Sequence, residues 1–348
     1  MIPNKTVKII LVSIAIILGI FILIYVLTWA SVEKTVEHDP SIPHITTNGI
    51  TFHSEAFGDP NNPVVIVVHG GPGNDYRSML LLKELSDNYY VVFYDQRGTG
   101  LSPRVSKEEL TFDQSIEDLN SIVDYYSDGK KVNLIAHSFG AILAVSYIGL
   151  YPEKVDKIVL SEPGFLTMQT AGMYMAYFQR KMQEKPPQST FDKVIEWFEL
   201  LHIRDYDGQE KADYLFMRNI MTDKPLQSEY YCNGELATTK NRLWRYSVLS
   251  SSSVQDVTSQ TSEFVPMTEK GPIFSFAKYA DKFTNKILFL ASECNSVTGE
   301  STQKIHIELF PNAELKVIED AGHDMHAGQP EAVQRAIREY FKEETPLS

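Results

Sequence analysis

A serine hydroxyl attacks a carbonyl only when a base takes its proton and N–H donors receive the charge that develops on oxygen. The stretch Val132–Tyr147, VNLIAHSFGAILAVSY, sets Ser138 in a context suited to that chemistry. A short apolar run, Val132 to Ala136, reads as a buried strand. Ala136, His137, Ser138, Phe139 and Gly140 make a tight corner, and Ala141 to Tyr151 reads as a helix. Small residues on both sides of Ser138 let the chain turn sharply, which pushes the hydroxyl out at the strand end. The same turn leaves the Phe139 N–H at a helix start, where an oxyanion would form.

Three more stretches carry the partners that such a serine needs. Val64–Gly73, VVIVVHGGPG, is a strand running into a glycine-rich loop, in which backbone N–H groups can approach a ligand closely. Tyr89–Ser102, YYVVFYDQRGTGLS, is another strand followed by a glycine-rich loop. Gly322-His323-Asp324 follows a strand-like run at Glu314–Ile318.

Together these motifs resemble the α/β-hydrolase superfamily, and HGGPG with DQRGTGLS is most similar to its proline-iminopeptidase-like branch. The resemblance runs over about Ile45–Phe341 and implies that family's fold: a mostly parallel sheet with helices on both faces and an inserted helical cap. It implies Ser138 as nucleophile, His323 as general base and then acid, and the backbone N–H groups of Phe139 and Gly71 as the oxyanion hole. The chain has nine histidines. His69 and His137, inside the glycine motifs, read as shaping their loops, and Asp95 as tying its own loop together.

The third member of the triad departs from the family pattern. The resemblance expects an aspartate after the strand Lys286–Ala291, and the matching position is Asn295, in Ala291-Ser292-Glu293-Cys294-Asn295. A neutral amide can orient a histidine but cannot stabilise an imidazolium. In the chymotrypsin-type triad that exchange costs about 10⁴ in turnover. Glu162, after the strand Lys157–Ser161, is the leading candidate for a relocated acid. Certain haloalkane dehalogenases carry theirs after this strand. Glu293 is the next choice, and an acid-free site is the remaining one.

The elements that must position these residues alternate strand and helix. Ile45–Phe57 alternates around Asn48-Gly49, a hairpin signal. Thr111-x-x-Gln114 reads as a capping box opening a helix that ends near Asp128-Gly129. The βαβ rhythm places ligand sites at the C-terminal ends of the strands, where all the glycine motifs fall. Between Pro163 and about Pro272 the rhythm breaks into aromatic- and Met-rich helical segments, read as the cap. The resulting organisation is a stub and anchor at 1–31, a linker at 32–44, core at 45–163, cap at 164–272 and core again at 273–348.

Composition bounds the partners. The net charge of −13 argues against nucleic acid and anionic surfaces. No Cys/His cluster has zinc spacing, and no cofactor or metal is implied. Cys232 and Cys294 could pair in an oxidising compartment or remain free. Ile9–Trp29 is an uncharged apolar run of about 21 residues, enough to cross a hydrocarbon core of about 30 Å and longer than a signal-peptide core. Lys5 and Lys8 precede it and acidic residues follow, which puts the N-terminus in the cytoplasm and the rest outside.

The expected protein is a membrane-anchored, single-pass serine hydrolase with an extracytoplasmic catalytic domain. Its substrate is a small molecule or short peptide bearing an amide or ester, and the motifs favour an aminopeptidase of proline iminopeptidase type. The alternatives are a carboxylesterase of the same fold, or a non-catalytic binding or sensing protein that lacks the usual acid.

Overall fold

A computed structural model of the chain describes residues 4–27, 34–184, 189–202, 229–232 and 262–342. The first element is the helix α1, Asn4–Leu27. Eight strands then build the main sheet: β1 His44–Thr47, β2 Ile50–Phe57, β3 Val64–Val68, β4 Tyr90–Tyr94, β5 Val132–His137, β6 Val155–Ser161, β7 Ile287–Ser292 and β8 Ala313–Ile318. Their order in space is β1-β2-β4-β3-β5-β6-β7-β8. Only β1–β2 and β2–β4 pair antiparallel; the rest of the sheet is parallel.

A parallel strand covered on both faces must be apolar on both, and β3 reads VVIVV, buried throughout. Alternate residues feed opposite layers. Ile66, Leu134 and Leu160 pack with α2, Phe112–Ser127, and α3, Phe139–Leu150. Val67, Ile135 and Val159 pack on the other face, toward the 3₁₀ segment Tyr76–Asp87 and the C-terminal helix Pro330–Lys342.

The turn at Asn48-Gly49 forms as the sequence predicts, with both residues at positive φ between β1 and β2. The capping box at Thr111 forms only in part. Thr111 Oγ1 accepts from the Gln114 N–H at 3.0 Å, but the Gln114 amide donates to Asp118 at 3.1 Å instead of reaching back. The Tyr76–Asp87 segment has no counterpart in the sequence reading. Its buried residues, Tyr76, Met79, Leu82 and Leu85, follow a period near three that is neither strand nor ordinary helix.

Of the segment read as a cap, the structure describes two helices, α4 Met168–Glu184 and α5 Thr190–Leu200, a short piece at Glu229–Cys232, and a two-residue strand pair, Met267–Thr268 with Gly271–Pro272. Residues 185–188, 203–228 and 233–261 of this segment, among them the aromatic Trp244 and the acidic Asp205, Asp213 and Glu235, lie outside the described residues, as does Trp29 at the end of the apolar run.

Register is what matters for the site. His137 on β5 stands opposite Ser161 on β6, and Ser161 stands opposite Leu290 on β7. Residues immediately past these points therefore gather at one edge of the sheet.

Candidate active site

Ser138 follows β5 with φ 54° and ψ −119°, a conformation that L-residues rarely adopt. The surrounding packing holds it there. Its N–H donates to the Ser161 carbonyl at 2.9 Å, and its carbonyl accepts from Ala141 and Ile142 in the first turn of α3. The helix begins at Phe139, two residues earlier than the sequence reading, so the corner is tighter than expected. A Cβ on Gly140 would lie 2.3 Å from the His69 carbonyl oxygen, so the corner closes only with glycine there. As the first residue of α3, Phe139 has an N–H with no intrahelical acceptor. The loop that contains Gly71 passes directly over the serine: the ideal Cβ position at the adjacent Gly70 is 3.0 Å from Ser138 Cβ.

The second glycine motif braces the first. Gln96 donates its N–H to His69 Nε2 at 3.0 Å and its side-chain amide to the His69 carbonyl at 2.7 Å. Asp95 accepts from the N–H groups of Tyr76 (3.1 Å) and Leu101 (2.8 Å) and pairs with His53 at 2.7 Å. It fills the space beside Gly100, where a Cβ would fall 2.1 Å from its carboxylate. Arg97 holds Asp118 of α2 with two bonds of 2.7 Å, a buried bidentate pair. HGGPG and DQRGTG thus form one hydrogen-bonded unit.

His323 lies between the strand ends. Its Nε2 is 3.0 Å from Ser138 Oγ and its Nδ1 is 2.7 Å from Glu162 Oε2. An ionised carboxylate only accepts, so the Nδ1 proton belongs toward Glu162 and Nε2 is left to accept from the serine hydroxyl. The His323 N–H donates to the Tyr230 carbonyl at 2.8 Å, and its own carbonyl is 2.8 Å from His137 Nε2. The Tyr230 ring stands edge-on to the imidazole at 5.3 Å. His137 therefore does more than shape its own corner, because it holds the loop that carries His323.

Glu162 follows β6 at φ 45°, with its N–H donating to the Leu290 carbonyl at 3.0 Å. It is fully buried. A carboxylate in that position needs donors on every side, and it has four. Ser292 gives its N–H at 2.7 Å and its hydroxyl by a short bond to Oε1. Oε2 meets Asn295 Nδ2 at 2.7 Å and His323 at 2.7 Å.

Asn295 occupies the place where the family resemblance expects an acid, and it stands as a donor to the carboxylate on the neighbouring strand. Its side-chain oxygen accepts from the N–H groups of Val297 and Thr298, which fixes the direction in which its NH₂ points. Glu293, the other candidate from the sequence, is not part of this cluster. It is exposed, its N–H donating to the Ile318 carbonyl at 3.1 Å and its carboxylate accepting from the Asp320 N–H at 2.9 Å.

Ser292 and Tyr230 take part with no signal in the sequence, and Cys232 and Cys294, whose pairing the sequence leaves open, form a disulfide. The disulfide joins residues 62 apart in sequence and pins the Glu229–Cys232 piece beside Asn295. The Ser296 N–H donates to the Glu229 carbonyl at 2.9 Å in the same place. His326, beneath the site, has Nε2 3.0 Å from Ser161 Oγ. Burial lowers its pKa to about 4, a nearby Asp324 raises it in part, and His323 lowers it further.

A serine, an imidazole and a buried carboxylate in this chain of contacts form a charge-supported proton path from a hydroxyl to a base. The match to known proteins agrees with the sheet. Residues 63–330 match the family model for the alpha/beta hydrolase fold. The chain belongs to the α/β-hydrolase family, and within it the chain is similar to proline iminopeptidases.

Similar proteins include proline iminopeptidase PfmaB of Pestalotiopsis fici, 24% identical over 307 residues that cover 86% of this chain and 99% of the relative. A proline iminopeptidase of Thermoplasma volcanium is 23% identical over 260 residues, 74% of this chain and 82% of that one. Among solved structures, an epoxide hydrolase of Bacillus megaterium superposes with a TM-score of 0.59 at 18% identity, covering 86% of this chain and all of that one. That likeness speaks for the fold alone. The chain is thus an α/β hydrolase whose relatives include proline iminopeptidases and epoxide hydrolases.

Proposed function

We propose that this protein is a serine hydrolase of aminopeptidase type that removes an N-terminal residue from a short peptide or aminoacyl amide through an acyl-enzyme. The observation that carries this reading is the continuous path Ser138–His323–Glu162, with contacts of 3.0 and 2.7 Å. In this reading Ser138 Oγ attacks the scissile carbonyl while His323 Nε2 takes its proton. The N–H groups of Phe139 and Gly71 receive the oxyanion. His323 then protonates the departing amine, and a water, deprotonated by the same nitrogen, releases the acid product. Glu162 orients the imidazole and stabilises its charged form.

The joined HGGPG and DQRGTG loops and the proline iminopeptidase relatives favour an amide substrate. An epoxide hydrolase needs a carboxylate nucleophile, and the elbow here presents Ser138. A carboxylesterase uses the same triad, and the choice between the two rests with the substrate assay. Labelling by a fluorophosphonate, lost in Ser138→Ala, followed by release of amino acids from aminoacyl amides tested against short-chain esters, checks the reading. A wild-type chain that stays unlabelled overturns it and leaves a non-catalytic binding protein.

In the same reading α1 is an uncleaved anchor and residues 164–272 form a cap over the serine. The segment Lys5–Leu27 has a mean hydropathy of 3.2 over its apolar window and none of that window is buried. The Cys232–Cys294 disulfide supports an oxidising, extracytoplasmic compartment for the catalytic part. Protease added to intact cells should digest the hydrolase; full protection until lysis reverses the orientation.

A further inference from the structure

Apolar side chains exposed in a row along one helix need a cover. On α5, Phe191 is 71% exposed, Val194 43%, Trp197 50% and, one residue past the helix, Leu201 44%. Their spacings of three, three and four residues put them on one side, while Asp192, Lys193 and Glu196 project elsewhere. A row of this length on an amphipathic helix is the pattern of a segment lying in a lipid boundary.

The identity of the cover follows from α1. Phe21 of α1 packs against Phe198 at 4.8 Å and Trp197 at 6.0 Å between ring centroids, and Tyr25 lies 4.1 Å from His202. Whatever surrounds α1 therefore also surrounds the end of α5. Phe21 is six residues from the end of α1 at Leu27, about 9 Å along a helix. If α1 spans a bilayer, Trp197 sits about that far inside the outer end of the apolar span, the depth at which interfacial helices lie, about 5–10 Å.

The tether is short as well. Val36 is already buried in the hydrolase, its N–H donating to the Leu101 carbonyl at 2.9 Å. Nine residues from Leu27 to Val36 reach at most about 32 Å. The catalytic part cannot stand far off the surface. With a net charge of −13, contact with lipid must come from apolar burial and not from attraction to anionic headgroups.

We propose that the row Phe191, Val194, Trp197 and Leu201 lies in the headgroup–acyl boundary of the bilayer that α1 crosses, docking α5 on the outer leaflet. This rests on the reading of α1 as a membrane anchor. The full chain, its native cysteines joined in the disulfide, is reconstituted in phosphatidylcholine nanodiscs with one spin label, at Ile17→Cys in α1, Phe191→Cys in α5 or Lys304→Cys on the exposed core. Accessibility to oxygen and to a water-soluble nickel chelate is then measured.

Labels at 17 and 191 should prefer oxygen by at least several-fold over the label at 304, and the preference at 191 should persist at high salt. A label at 17 in lipid with one at 191 in water overturns the docking and leaves the anchor standing. Both in water overturns the anchor reading, and the docking with it. Dipolar broadening between labels at 191 on two chains in one disc shows a second copy as the cover and also overturns the proposal.

Discussion

Two neighbouring strands end beside His323, and they end differently. β6 delivers Glu162, a buried carboxylate 2.7 Å from the imidazole. β7 delivers Asn295, an amide 2.7 Å from that same carboxylate. The family resemblance expects the charge on the β7 side. Here the charge stands on β6, and the β7 residue has become one of its donors. The positions are adjacent in a parallel sheet, so both can reach one histidine. The difference teaches that the requirement of the site is one carboxylate facing Nδ1, supported by donors, and that either strand can supply it when the other supplies the support.

The largest test of that comparison is Glu162→Gln. It keeps the shape and removes the charge that stabilises the imidazolium, and a loss of about 10³–10⁴ in kcat is expected by analogy with the chymotrypsin-type triad. Circular dichroism should be unchanged. A variant that keeps full activity breaks the comparison at its first term.

Asn295→Asp is next. In the wild-type background it replaces a donor with a second carboxylate at about hydrogen-bond distance from the first, and two such groups cannot both stay ionised. A drop of about 100-fold is expected, of which the lost hydrogen bond to a charged group gives about tenfold and the repulsion between the two carboxylates the rest. In the Glu162→Gln background the same change should raise activity, because it restores a single charge on the β7 side. Asn295→Ala, which removes one donor of four and adds no charge, should cost about tenfold or less. Equal effects of Asn295→Asp in both backgrounds would show that the two strand ends are not coupled.

The sequence carries the strands, the serine corner and the histidine loop, because each is encoded locally in short continuous apolar runs and small residues. The choice among Glu162, Glu293 and Asn295 is not local. It depends on the register that sets Ser161 opposite Leu290, and on a positive φ at Glu162 that its residue type does not advertise. Glu293 differs from Asn295 by two positions yet faces out to bond Asp320. The Tyr76–Asp87 segment escaped because its period matches neither template. Tyr230 reaches His323 from a piece clamped by a disulfide distant in sequence, which sequence spacing leaves open as one of two states.

That disulfide sharpens the comparison from the β7 side. Cys294 precedes Asn295, and its partner Cys232 lies in the piece whose Tyr230 carbonyl accepts the His323 N–H. Reduction, or paired Cys232→Ser and Cys294→Ser changes, should lower stability by about 2–4 kcal/mol. It should also lower kcat several-fold, because the backbone acceptor for His323 is no longer pinned. Thermal unfolding with and without reductant, beside activity at a temperature where both forms are folded, separates the two effects. No change in kcat would show that the β7 side holds the histidine without the clamp.

The most gradual effect, spread over pH, comes from beneath β6. His326 contacts Ser161, the residue before Glu162, and burial lowers its pKa to about 4. In the unfolded chain the same group titrates near 6.5. Between these values the unfolded state binds the proton and the folded state does not, so stability must fall as pH drops from about 6.5 to about 4. The slope for one group is about 1.4 kcal/mol per pH unit, or on the order of 3 kcal/mol across the window. His306, buried on the other side of the sheet with a pKa lowered to about 3, adds a similar slope of its own. His326→Gln keeps a polar group near Ser161 and cannot titrate, so it should remove only the His326 share. The check is urea unfolding of both chains at pH 7, 5.5 and 4.5. The stability gap between variant and wild type should move in the variant's favour as pH falls, by up to about 1.4 kcal/mol per unit. A gap that stays constant with pH would mean that His326 accepts its proton in the folded state as readily as in the unfolded one, and that the β6 end tolerates a charge beneath it.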